Sequence, residues 1–196
     1  MTVDGFKLLA DAHDYLIAAA RGVPAEAWGA PTPCHAWTVR QVLNHARLDQ
    51  QALTMQITGV TPDADPFEPI DALDGATAVA ELELVCATAT AAWESSRDAE
   101  TVPTPMGPMP AATGASAAAL DAALHAWDIA VATGQALPLP DALAEGLGDI
   151  SGFLVPFVRD NFGKFGAAVP LSTDAGPATR LLAFSGRDPH WTPAAG

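Results

Sequence analysis

The densest chemistry in this 196-residue chain lies in the run Asp121-Ala-Ala-Leu-His125-Ala-Trp127-Asp128. Asp121 and His125 are four positions apart, so on a helix both leave the same face. Asp128 comes seven after Asp121 and points nearly the same way. A carboxylate and an imidazole one turn apart can close on one cation, as the two imidazoles of an HExxH helix do. The same spacing also arises by chance, with Asp121 a solvated carboxylate and His125 a packed core ring. A second imidazole, His45 in VLNHARLD, sits at the edge of an apolar stripe, where a lone histidine is usually a hydrogen-bonded core residue. Asp49, one turn on, can orient His45 or pair with it. His13 lies on the apolar face of the first helix, either as a hydrogen-bonded core histidine or as a pocket-lining acid/base or further ligand. Asp128 can accept a proton from a ligand imidazole or cap the nearby loop.

Other candidates carry blander expectations. Cys34, in a Pro-Thr-Pro-Cys corner, reads as a structural buried thiol, because no Lys or Arg adjoins it in sequence to lower its pKa, although His35 is beside it. Trp37 and Trp127 are expected to pack the interior, with Trp127 opposite Asp121 on its helix. Arg159, Arg180 and Arg187 are scarce positive charges whose default role is surface ion pairing, and one of them could grip an anionic substrate. His35 and His190 fall in loops.

These residues need helices to position them. Phe6, Leu9, His13, Leu16, Ile17 and Ala20 recur at helical spacing and predict a first helix over about 4–21, closed by Gly22 and Pro24. Pro31 to Trp37 is a stiff connection. Thr38 with Gln41 three positions on forms a capping-box signature that opens helix two, whose stripe is Val39, Val42, Leu43, Ala46, Leu53 and Ile57. A loop rich in Pro and Asp spans 59–69. Helix three is expected to start near Asp71 or Asp74 and to bury Val79, Leu82, Cys86, Ala89 and Trp93. The stretch 101–110, with its prolines, predicts an extended strap or irregular hairpin. Helix four is expected over about 115–133 with Gly134 at its C-terminal cap. A fifth helix over about 140–158 is interrupted by Gly146, Gly148, Gly152 and Pro156, and a short helix falls near 177–184. Four principal amphipathic helices with long second and third connections predict an all-α four-helix bundle. The whole chain reads as one domain, with a core over about 4–158 and a wrapping tail over 159–196.

Composition excludes several function classes. Nine Lys plus Arg against 23 Asp plus Glu give a formal charge of −14. No basic cluster exists to bind nucleic acid, and an anionic membrane surface is an equally poor partner. Cys34 and Cys86 form no metal or disulfide motif and suit a reducing compartment. With no basic start and long apolar run at the N-terminus and no uncharged stretch of about 18 residues, the expectation is a cytoplasmic protein without a membrane span.

The segments PTPCHAWTVRQVLNHA, LDAALHAWDIAVATGQ, FGAAVP and RLLAFSGRDPHW, in that order, resemble the actinobacterial branch of the DinB-like superfamily, which includes mycothiol-dependent maleylpyruvate isomerases and thiol S-transferases. The resemblance spans nearly the whole chain and is more specific for fold and metal site than for reaction. It implies an up-down-down-up bundle, here with an extra C-terminal helix. It also implies a divalent metal (Zn, Ni or Fe) held by His45 from helix two and by Asp121 and His125 from a later helix. Many relatives have His, and maleylpyruvate isomerases have Glu, where this chain has Asp121. Asp is one methylene shorter and is expected to ligate from farther away or through a water. The implied reaction is activation of a small thiol, mycothiol, that attacks an electrophilic substrate in S-transfer or isomerisation, with His13 or Asp128 moving protons. Maleylpyruvate isomerase itself is less expected, because those enzymes carry a further C-terminal domain. The rival readings are a non-catalytic metal- or ligand-binding bundle and a metal-free cyclase or isomerase using the bundle pocket. Relatives include homodimers, so a dimer is allowed.

Overall fold

The computed structural model describes residues 4–193 apart from 36, 69–72, 74 and 105. Seven helices follow one another: α1 Gly5–Arg21, α2 Val39–Thr58, α3 Gly75–Ser95, α4 Ala111–Ala132, α5 Asp141–Gly146, α6 Gly148–Phe162 and α7 Pro177–Phe184. No strand occurs among the described residues; Pro31 with Thr38 and Val102 with Met109 form isolated antiparallel bridges. The second of these makes the 101–110 strap the irregular hairpin that its prolines predict.

Local chemistry sets the helix ends. Asp4 caps α1 by accepting from the Phe6 and Lys7 amides. At α2, Thr38 Oγ1 accepts from the Gln41 amide while Gln41 Oε1 accepts from the Thr38 amide at 2.9 Å, a complete capping box. The expected starts of α3 at Asp71 or Asp74 lie outside the described residues. α4 begins earlier than Gly114 suggests. Trp93 of α3 lies where a side chain on Gly114 would be, so the glycine serves close helix packing and does not end the helix. It closes through Thr133, and Gly134 takes the left-handed φ of +66°. The expected fifth helix divides at Leu147 into α5 and α6, and α6 runs on through Pro156 to Phe162.

Long-range contacts define the topology. Both starts and both ends of α1 and α4 adjoin: Gly5 lies against the Ala112 carbonyl, and Gln135, just past α4, donates to Ala19 O near the end of α1. These two helices are therefore parallel. α2 runs against α4, because His45 lies beside His125 while Gln50 donates to Ala118 O. α3 is parallel to α2, because the connection returns along α2 until Leu73 O accepts from Asn44. It is antiparallel to α1, with Arg97 beside Asp4 and Arg21 beside Glu83. The result is the up-down-down-up bundle.

α4 is its central element. Ala115, Ala118, Ala119, Ala122, Ala123, Ala126 and Ala130 are buried around its circumference, as expected of a helix enclosed on all sides. These small side chains let α1 and α2 approach closely and carry Asp121, His125 and Asp128 into the interior. α3 is long and apolar enough by composition to cross a membrane. It carries Glu81 and Glu83, however, and buries Ala78, Leu82, Cys86, Ala89 and Trp93 in the bundle.

Candidate metal centre between α2 and α4

His45 projects from α2 toward α4 and is 6% exposed. Its Nδ1 hydrogen-bonds the Pro66 carbonyl on the loop that returns along α2. That bond takes the Nδ1 proton and leaves Nε2 with a free lone pair. Trp37 packs on the ring with centroids 4.7 Å apart, and Phe67 lies 6.0 Å away. Burial, followed by the charge of His125, pulls the His45 pKa down to about 4, so the ring is neutral.

His125 stands edge-on to His45, with centroids 4.7 Å apart. Its Nδ1 is 3.0 Å from Asp128 Oδ2 and its Nε2 is 3.3 Å from Asp121 Oδ1. Burial opposes charging this ring, but Asp121 and then Asp128 outweigh it and hold the pKa well above the usual imidazole value. Burial also opposes ionisation of Asp121 and Asp128. His125 prevails at Asp121 and Arg187 at Asp128, and both carboxyls are held below their ordinary range.

One nitrogen of each imidazole and one Asp121 oxygen lie within 4.8 Å of one another. A tetrahedral ion with bonds of about 2.1 Å keeps its ligand atoms about 3.4 Å apart, close to the 3.3 Å between His125 Nε2 and Asp121 Oδ1. Each imidazole has its outer nitrogen occupied, by a carbonyl in one case and a carboxylate in the other, as metal-binding histidines do. The three donors can therefore hold a divalent cation, which would take the place of the proton now shared between His125 and Asp121. Asp121 Oδ1 lies within 4.8 Å of the imidazole nitrogens, beside His125 Nε2 at 3.3 Å. A second trio, Cys34, His125 and Asp128, is equally compact. The Arg187 guanidinium beside it already supplies positive charge, so it serves as a polar junction.

Several expectations change. Asp49 hydrogen-bonds Asp121 rather than pairing with His45. Burial, and then the Asp121 charge, push its pKa well up, so it is protonated and donates. His13 has both nitrogens engaged, Nδ1 with Thr90 Oγ1 and Nε2 with Gln50 Oε1, each at 2.9 Å. It reaches the centre only through Gln50, whose Nε2 is 3.4 Å from Asp121 Oδ2. Asp128 takes the first of its two readings, accepting from His125. Cys34 is not remote from chemistry: its Sγ lies 3.0 Å from Asp128 Oδ2, 3.8 Å from Arg187 Nη2 and 3.9 Å from His125 Nδ1. Burial and then Asp128 nevertheless raise its pKa, so it is a thiol. Arg187 is a buried partner of Asp128 rather than a surface charge. Trp37 lines the site, whereas Trp127 packs in the core.

Gln50 is the residue that sequence reasoning missed, and Arg187 reads there only as a surface charge or a grip for an anionic substrate. Gln50 left a faint signal, a polar side chain that α2 carries toward the interior. Arg187, 59 positions from Asp128, left none that spacing could read.

The fold defines the class: a DinB-like four-helix bundle whose second and fourth helices bring two imidazoles and a carboxylate together. The chain belongs to the mycothiol maleylpyruvate isomerase N-terminal domain family, whose model matches residues 9–130. Two uncharacterised proteins from two strains of Mycobacterium tuberculosis are each 30% identical to it over 178 residues, covering 90% of this chain and 93% of theirs. Crystal structures of mycothiol-dependent maleylpyruvate isomerase and of a mutant of it share the fold, each with a TM-score of 0.58. Their identities are 18% and 15%, over 74% of this chain and 67% of theirs.

Proposed function

We propose that this protein is an enzyme that holds a divalent metal ion with His45, Asp121 and His125 and uses it to activate a small thiol, mycothiol, for S-transfer to, or isomerisation of, a small electrophile. The observation that carries this reading is the convergence of the three donor atoms, with the outer nitrogen of each imidazole already tied. Family membership supports the thiol and the reaction class. When bound, the metal would lower the pKa of a coordinated thiol so that thiolate is available at neutral pH.

The chain's own residues supply orientation and exclusion of water. Pro66 O fixes the tautomer of His45, and Asp128 fixes that of His125. Trp37 and Phe67 wall the His45 side with apolar surface. His13 steadies Asp121 through Gln50, and the protonated Asp49 holds its other flank. In this reading His13 and Asp128 act through ligands rather than on substrate. A reducing, cytoplasmic setting suits a thiol co-substrate and the free cysteines Cys34 and Cys86.

The test is elemental analysis of protein purified without chelator or a His-rich tag, followed by titration with mycothiol. Near-stoichiometric Zn, Ni or Fe in the wild type, lost in His125→Ala, is expected, with mycothiol binding only the metal-loaded form. Sub-stoichiometric metal that is unchanged in His125→Ala overturns the site. Metal without mycothiol binding or consumption overturns the thiol chemistry alone.

A further inference from the structure

Arg187 lies outside the residues that match the family, on the tail just past α7. Its Nε donates to Asp128 Oδ1 at 2.9 Å and its Nη2 to Asp128 Oδ2 at 2.7 Å, a side-on pair with both partners buried. Nη1 adds a bond to Ser185 Oγ at 3.3 Å. The same Oδ2 that accepts from Nη2 faces His125 Nδ1 at 3.0 Å. Two in-plane N–H bonds prevent a carboxylate from turning. The His125 ring is thereby aimed, with Nε2 toward His45 and Asp121.

The backbone that delivers Arg187 is built for this approach. Gly186 has φ +85°, and a Cβ there would lie 2.6 Å from Gly166 O, so two tail segments cross where only glycine fits. The Arg187 amide donates back to Leu182 O at 2.9 Å, closing the turn after α7.

We propose that Arg187 is a positioning residue of the metal centre: through Asp128 it aims His125, so that the docked C-terminal tail sets the affinity of the site. This inference rests on the metal reading above and goes beyond it, because it makes part of the chain outside the family match a component of the centre. Removing the direct outer partner of a metal-binding imidazole, here Asp128, weakens metal affinity by about 10- to 100-fold, and Arg187 acts one bond further out.

The experiment measures Zn²⁺ dissociation constants by competition with a chromogenic chelator for wild type, Arg187→Lys and Arg187→Gln, with the metal-free Tm of each. Visible spectra of the Co²⁺ forms report ligand geometry. Arg187→Gln is expected to bind Zn²⁺ up to about 10-fold more weakly with altered Co²⁺ bands, and Arg187→Lys, which keeps the charge but loses the fork, to fall between. Equal affinities and identical spectra in all three, even with a lower Tm in the variants, overturn the proposal and leave Arg187 a structural ion pair. If Arg187→Gln does not fold, Arg187→Lys carries the same comparison. Failure of the wild type to bind Zn²⁺ is a separate outcome that overturns the metal reading itself.

Discussion

At the scale of residues, the centre sets two neighbouring histidines in opposite protonation states, and this has a consequence for stability. The folded pKa of His45 is about 4, against about 6.5 in an unfolded chain. Between those values the unfolded chain binds a proton that the folded one refuses, so stability drains as pH falls from about 6.5 toward 4. His13, also lowered by burial, adds to the same limb. His125 has the opposite sign. Its raised folded pKa contributes stability that is complete below about pH 6.5 and is lost as pH rises through the folded value. In the metal-free protein His45 is therefore expected to account for a loss of the order of 3 kcal/mol as pH falls across the acid window, offset in part by Asp49, whose raised folded pKa contributes stability that is lost as pH rises above its unfolded value. Urea unfolding of chelator-treated protein at about pH 4.5, 6.5 and 8.5 checks this. His45→Gln should flatten the acid limb and spare the alkaline one; an acid limb that is unchanged in this variant would assign the loss elsewhere.

At the scale of elements, site geometry depends on how closely α1 and the Trp93 side chain of α3 approach the central α4. Gly5 and Gly114 mark that approach. A Cβ on Gly5 would lie 1.9 Å from the Ala112 carbonyl oxygen, a backbone atom that cannot turn aside. Gly5→Ala is expected to destabilise by about 1–3 kcal/mol, although alanine is the better helix former. Gly152, in α6 with open space around it, is the control: Gly152→Ala should stabilise by about 0.5–1 kcal/mol. Denaturant midpoints of the two variants test the pair, and a neutral Gly5→Ala would mean that the helix ends yield more readily than their packing implies. The same dependence explains why helix boundaries near glycines were hard to read. Gly114 is helical because Trp93 needs its space, whereas Gly134 ends its helix through a left-handed φ.

At the scale of the molecule, Leu143, Leu147, Ile150, Leu154, Val155, Leu181 and Leu182 from α5, α6 and α7 join the same buried apolar cluster as α1, α2 and α4. A contiguous core of this kind should unfold as one unit. Far-UV circular dichroism and tryptophan fluorescence are expected to give coincident unfolding curves for the full chain, with Trp28, Trp93 and Trp127 reporting from the interior. An early, separate transition of the C-terminal part would divide the chain into a bundle and an independent tail.

What the sequence determined by itself is what short-range chemistry dictates. The Thr38–Gln41 capping box, the 177–184 helix, the α1 stripe and the shared face of Asp121 and His125 all depend on neighbours within a turn or two, and each appears where local rules place it. Resemblance across the chain added His45 and the order of the helices. Tertiary structure alone decided the partners: Pro66 on His45, Asp49 on Asp121, Gln50 between His13 and Asp121, and Arg187 on Asp128. Helical periodicity gives the direction in which a side chain leaves its helix, not what meets it. Most of these contacts join different elements, and burial then removes water as the alternative partner. Cys34 and Arg187 show the difference most clearly: from sequence they read as an inert thiol and a surface charge, and the fold places both against the carboxylate that holds His125.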